Sequence, residues 1–188
     1  MNSKAHYNPK SKRQLVSFVI MLVLSVAVVF GSIAIKNAVD EKNNGTVDVN
    51  FTISKSVPVS VKDNELGVTA VEEVYNDKNE VVAYVINGTT VGYNAESPIE
   101  MATTITADAK VVCGVDIIKQ EETEYLGVRI ATDDFKNQFE GKKIPVVSSN
   151  GIEKGSKVDV IAKSTISSEA VINGVDNAAE YVTEFLVK

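Results

Sequence analysis

Tryptophan is absent from this 188-residue chain, and cysteine and histidine occur once each, as Cys113 and His6. A single thiol excludes an intramolecular disulfide framework and any multi-thiolate zinc or iron–sulfur site. One histidine, within the first ten residues, excludes His-rich metal centres and a buried Ser–His–Asp triad. Six Phe and six Tyr give little material for a base-stacking platform. Only four prolines and eleven glycines stand beside 44% hydrophobic and 23% charged residues, which excludes collagen-like sequence, low complexity and wholesale disorder.

What is present is unevenly distributed. The net charge is −6, from 19 basic and 25 acidic side chains. Lys4, Lys10, Lys12 and Arg13 give residues 1–14 four positive charges and no acid, which leaves residues 15–188 at −10. An acidic body with a short basic head argues against nucleic acid as a partner. Leu15 to Ile35 is a run of 21 residues without charge. At ~1.5 Å per residue it reaches about 31 Å, enough to cross a hydrocarbon core of ~30 Å. The expectation is a transmembrane anchor over 15–35, with head 1–14 cytoplasmic and everything from residue 36 onward outside. A cleaved signal peptide, with Ser32 and Ala34 as its small pair, is the competing reading, but such apolar cores usually run ~7–15 residues.

Residues 36–66 read as a polar stalk followed by the first strands, and 67–188 as the outer domain. Val47, Val49, Phe51 and Ile53 alternate, as do Val57, Val59 and Val61 around Pro58, which marks a sheet edge. Val68–Tyr75 and Glu80–Ile86 flank the turn 76–79 and predict a hairpin; Ile99–Thr106 and Lys110–Ile118 flank 107–109 and predict a second. Thr132, then Asp133 and Asp134, Phe135 and Phe139, and finally Gly141 predict a short capped helix. Val171, Val175, Ala178, Val182 and Leu186 recur at helical spacing, so a long amphipathic helix over about 167–185 closes the chain against the sheet. The class is α+β. Cys113, in an apolar strand, reads as a small buried hydrophobe. Glu121, Glu122 and Glu124 read as a solvated acidic face, and no metal site is expected.

Three segments carry a resemblance. They are Gly92-Tyr93-Asn94-Ala95-Glu96-Ser97-Pro98-Ile99; Glu122-Thr123-Glu124-Tyr125-Leu126-Gly127, followed by Phe135, Phe139, Gly141 and Lys142; and Asp159-Val160-Ile161-Ala162-Lys163-Ser164-Thr165-Ile166-Ser167-Ser168. In order and spacing they resemble the FMN-binding domain shared by the G subunit of Rnf complexes and the C subunit of sodium-pumping NADH–quinone reductases. There the motifs run Gly-Tyr-Gly-Gly-Pro-Ile, Glu-Thr-Pro-Gly-Leu-Gly with Phe-x-Gly-Lys, and Asp-x-x-Ser-Gly-Ala-Thr. This chain departs at Asn94-Ala95 for Gly-Gly, at Glu124-Tyr125 for Pro-Gly, and at Ala162-Lys163-Ser164 for Ser-Gly-Ala.

The resemblance implies an antiparallel FMN-binding domain behind the anchor, in a cell-membrane protein passing electrons within an ion-translocating ferredoxin–NAD oxidoreductase complex. It implies covalent FMN, joined through its phosphate to Thr165 by a flavin transferase that reads Asp159. Lys163, Ser164, Ser167 and Ser168 would attend the phosphate, and Gly92, Tyr93, Glu122, Thr123, Leu126 and Gly127 would shape the flavin site. Such a protein passes electrons on but completes no reaction alone, and its partners are the other membrane subunits. Two alternatives stay open: a stand-alone anchored flavoprotein for extracellular electron transfer, or a flavin-free docking derivative of the fold. Taken alone, Thr165 and Ser167 also read as plain helix N-cap residues.

Overall fold

The apolar, β-branched segments assemble into a meander. The computed structural model describes residue 47 and residues 49–187. Among them, β1 (Lys55–Val59), β2 (Val68–Tyr75), β3 (Val81–Thr90), β4 (Ile99–Thr106) and β5 (Val112–Lys119) form an antiparallel five-stranded sheet in that order. Both predicted hairpins are there, and Asn79 adopts φ +62° in the first turn, a conformation that asparagine tolerates. Pro58 sits on edge strand β1, where a missing N–H costs no central ladder bond.

Glu73, Tyr84 and Ile105 stand in register across β2, β3 and β4. The face carrying Tyr84, Ile86 and Ile105 packs against α2 (Thr165–Tyr181) through Ala178, Ala179 and Tyr181. Nearer the start of α2, Val171, Ile172 and Val175 pack against Ile99, Met101, Val112 and Val115. The helix begins at Thr165, two residues earlier than its apolar period suggests, and a π turn (Val182–Leu186) carries the same stripe onward.

Between β5 and α2 lie a 3-10 turn (Gly127–Ala131), α1 (Asp133–Lys136), a second 3-10 turn (Asn137–Phe139), and two short parallel strands, β6 (Val146–Ser148) and β7 (Ser156–Val158). The helix predicted around Phe135 and Phe139 is there in shortened form. Gly141 ends the segment at φ +72°, and the Lys136 ammonium holds α1 to β5 through Asp116 at 2.8 Å. Thr132 occupies the cap position, but its hydroxyl donates to the carbonyl of Arg129 at 2.7 Å and so closes the preceding turn instead. Strands β6 and β7 leave no mark in the sequence pattern, because three residues are too few for an alternation to register. Cys113 is buried, and the apolar surroundings push its thiol up to about 12.

The alternation over 47–53 needs correcting. Its described residues form no strand; Phe51 and Ile53 instead lie against Val74, Ala83, Val85 and Ala102 on the sheet face away from α2. Alternation reports a one-sided apolar segment, and whether a ladder partner is available is decided elsewhere in the chain. The expected anchor 15–35 lies outside the described residues. Among the described residues, no helix is long and apolar enough to cross a membrane, and no group of three or more acids, cysteines or histidines could hold a metal.

Glu72 lies on this far face as the register partner of Val85, and Oε1 of its buried carboxyl has no hydrogen-bond partner. Burial raises its pKa above the ordinary 4.5, and the hydrogen bond from the Ser56 hydroxyl offsets part of that rise. The folded chain therefore holds this proton more tightly than the unfolded one. The contribution to stability is full below about pH 4.5 and is lost as pH rises through the raised value. Glu72→Gln should remove that decline, so the variant gains on the wild type from about pH 4.5 toward neutrality. Urea midpoints across that range check it; a difference independent of pH would contradict the assignment.

Candidate functional site

Two loops and the first turn of α2, far apart in sequence, meet at one carboxylate. Glu122, just beyond β5, is only 6% exposed. Its Oε2 accepts the backbone N–H of Tyr93 at 3.1 Å and the Ser167 hydroxyl at 2.6 Å, while Oε1 accepts the N–H of Asn94 at 3.2 Å. A carboxylate with two oxygens readily takes three donors, and hydrogen bonds to it are stronger than neutral ones.

The two glycines beside it make this approach possible. A Cβ on Gly92 would strike Glu122 Oε1, and one on Gly127 would stand 2.6 Å from Glu122 Cβ and 3.2 Å from Ser167 Oγ. Both are required by contact, not by φ. The Asn94-Ala95 pair, standing for two glycines, also involves no positive φ. The Asn94 side chain instead donates to the Glu121 carbonyl at 2.8 Å and accepts the Glu96 N–H at 3.3 Å. Sequence reading misses Asn94 as a site-shaping residue; an Asn that opens a turn two residues before another polar residue is the available signal.

Backbone strain sits at the other two departures. Tyr125 has φ +62° and Lys163 φ +66°, each where the related motif has glycine. The loop shape that glycine permits is therefore retained by side chains that disfavour it. Lys163→Gly should raise stability by about 0.5–1 kcal/mol, the strain relieved less the added freedom of the unfolded chain. Urea titration checks this, and a destabilised variant would mean that the lysine side chain makes a compensating contact.

The first turn of α2 decides which hydroxyls are spare. Ser168 Oγ donates to the Ser164 carbonyl at 2.9 Å and accepts the Ile161 N–H at 3.1 Å, and it is fully buried. Ser167 spends its one proton on Glu122. The motif pattern makes these two serines donors to a phosphate, but both are buried and both spend their protons inside the protein, on Glu122 and on the Ser164 carbonyl. Ser164 occupies the cap position without making a cap hydrogen bond, and its buried Oγ has no partner. Neither Thr165 nor Ser167 is therefore the cap: Thr165 is the first helical residue and exposed, and Ser167 is the third.

The remaining expected residues lie in the same three motifs. Thr123 closes its turn by accepting the N–H groups of Leu126 at 3.2 Å and Val128 at 3.3 Å. Tyr93, Tyr125 and Ile166 leave 67%, 81% and 54% of their surfaces exposed, the first two flanking Glu122 in space or sequence and the third following Thr165. Asp159 is exposed, with its backbone held by Gln138 at 2.8 and 3.3 Å. A phosphate fits this arrangement. The first N–H groups of a helix lack intrahelical partners, the helix dipole favours an anion there, and Ser164 Oγ has an unused bond beside the exposed Thr165. A buried hydroxyl left unbonded costs about 1–3 kcal/mol, which a bound oxygen anion would recover.

Residues 92–180 match the FMN-binding domain family. The chain is 33% identical over 185 residues to the G subunit of the Na(+)-translocating ferredoxin:NAD(+) oxidoreductase complex of Acetobacterium woodii, covering 88% of this chain and 87% of that one. It is 34% identical over 122 residues to the G subunit of the ion-translocating oxidoreductase complex of Methanosarcina acetivorans, 59% of this chain and 64% of the other. For the G subunit of the proton-translocating ferredoxin:NAD(+) oxidoreductase complex of Clostridium ljungdahlii the identity is 33% over 108 residues, 57% of each chain. The match thus spans less than two thirds of the last two relatives. Among solved structures, the C subunit of the Na(+)-translocating NADH-quinone reductase of Parabacteroides distasonis superposes with a TM-score of 0.50 at 21% identity, over 70% of this chain and 79% of that one. That likeness is one of fold.

Proposed function

The chain belongs to the FMN-binding domain family, alongside the G subunits of Rnf complexes, and on that footing we propose that it is a membrane-anchored electron-transfer subunit with FMN held through its phosphate on Thr165. The observation that carries this reading is the exposed Thr165 at the head of a 17-residue helix, beside the buried and unbonded Ser164 hydroxyl. When bound, the flavin supplies reversible electron storage; the protein supplies attachment, orientation and tuning.

This chain's residues have distinct parts to play. Thr165 offers the ester oxygen. The N-terminus of α2 and Ser164 stabilise the single negative charge that a phosphodiester keeps. Tyr93, Tyr125 and Ile166 are exposed large apolar side chains, one from each of the three motifs, and they are the groups offered to a flat aromatic ring. Asp159, exposed six residues before Thr165, is where a flavin transferase would read the motif. Residues 15–35 anchor the chain, residues 1–14 remain cytoplasmic, and the domain faces outward, next to the other subunits of an Rnf-like ferredoxin–NAD oxidoreductase complex. The flavin-free alternative leans on Lys163 in place of glycine, and that support weakens because Lys163 keeps the positive φ.

The test is to produce the full-length tagged chain with a flavin transferase and isolate it from membranes. A denatured band that fluoresces as flavin, together with redox subunits that co-isolate, is the expected result. A dark band beside a labelled family member would overturn flavin attachment. A labelled chain recovered alone would favour the stand-alone flavoprotein.

A further inference from the structure

We infer that Glu122 is the positioning residue of this site, a latch that fastens the 92–94 turn to the first turn of α2 and so fixes where the Thr165 hydroxyl stands. The inference deepens the flavin reading and rests on it for its consequence, though not for its geometry. Glu122 is expected among the flavin-site residues, yet its side chain is buried and its carboxylate is engaged by three protein donors, from Tyr93, Asn94 and Ser167. It therefore acts through other groups.

Several features converge on that role. Ser167 is two residues past Thr165 in the same helical turn and is 2% exposed, so the bond to Glu122 restrains rotation and fraying of that turn. The hydrogen bond joins residues 45 apart, and those to Tyr93 and Asn94 span 29 and 28. No local propensity holds these loops together. Gly92 and Gly127 admit the carboxylate, since a Cβ at either would meet it or its stem. The first turn otherwise lacks a side-chain cap, because Ser164 makes none. A frayed first turn would displace the Thr165 hydroxyl from the Ser164 hydroxyl and the free N–H groups of the helix, and misplacing a reacting group by an ångström can cost about a hundredfold in rate.

The experiment uses the full-length chain co-produced with a flavin transferase, comparing wild type, Glu122→Ala, Glu122→Gln and Ser167→Ala. The fraction labelled is followed over time and normalised to folded protein by circular dichroism. Amide exchange of the purified chains is measured in parallel. Labelling should slow by about tenfold or more in Glu122→Ala, with Glu122→Gln, which keeps one acceptor oxygen, recovering part of the rate. Exchange at Tyr93, Asn94, Ser168 and Glu169, whose amides are bonded to Glu122 or across the first turn, should quicken by about tenfold or more, while β2–β3 amides keep their protection. A general loss of stability would move all amides together, would show no graded rescue and would overturn the latch. Equal labelling of folded Glu122→Ala and wild type overturns the inference. Should Glu122→Ala not fold, Ser167→Ala carries the test, and wild-type labelling rate and wild-type first-turn exchange in that variant overturn it. An unlabelled wild type is a failure of the flavin reading instead; the exchange pattern then decides the latch by itself.

Discussion

Thr165→Val should yield a folded chain that carries no flavin through denaturation. Valine keeps the β-branched shape and replaces only the hydroxyl by a methyl, and the residue is exposed at the first position of α2. Surface changes of that kind usually move stability by no more than about 0.5 kcal/mol. The loss should instead be all-or-none in the fluorescence of the denatured band, because no oxygen remains at this position to esterify. Thr165→Ser, which restores a hydroxyl, should restore the label. Undiminished labelling of Thr165→Val would move the acceptor elsewhere. Ser164 would then be tested first, since its unbonded hydroxyl is the nearest in sequence.

Phe139→Ala should have the largest effect on stability, a loss of about 3–5 kcal/mol. Its ring is fully buried and meets Phe135 edge-on, with centroids 5.4 Å apart and planes at 78°. The pair lies among Val112, Val146, Val158 and Val171, where β5, β6, β7 and α2 converge. Truncation leaves a cavity in a region whose strands are too short to close over it. A domain of this size has about 5–15 kcal/mol to lose, so the urea midpoint should fall by a large fraction of its value. Phe139→Leu should cost less, as more of the volume stays filled. A loss below about 1 kcal/mol for Phe139→Ala would show that this segment is not part of the core. The Phe-x-Gly-Lys stretch at 139–142 is thus expected to serve the site from beneath, by holding up α1 and β6, with no contact to a cofactor.

Much of the fold is legible in the sequence because it is written in local periods. Strands β2 to β5 are runs rich in β-branched and apolar residues bounded by turns that carry Asn79 or sit at 107–109, and α2 shows an apolar residue every third or fourth position. Each signal lies within one element. Strands β6 and β7 escape because a three-residue strand offers one and a half periods, and their partner choice depends on the intervening loop. The segment 47–53 misleads because alternation reports one apolar side, which a face-packed strap satisfies as well as a strand does.

The site divides along the same line. Sequence by itself determined the family, the order of the three motifs and the candidate hydroxyl at Thr165, since each is a matter of residue type at a given spacing. It also marked the positions where glycine had been replaced. Only tertiary structure decided that Tyr125 and Lys163 bear the left-handed strain while Asn94 and Ala95 do not. It alone turned Ser167 and Ser168 inward, left Ser164 unbonded, and made Glu122 the point at which residues 93, 94 and 167 meet. The physical reason is that a hydroxyl's partner depends on which way the helix is rotated against the sheet. That rotation is set by the burial of Val171, Val175 and Ala178 against the sheet, on the turns that follow the residues whose roles it assigns.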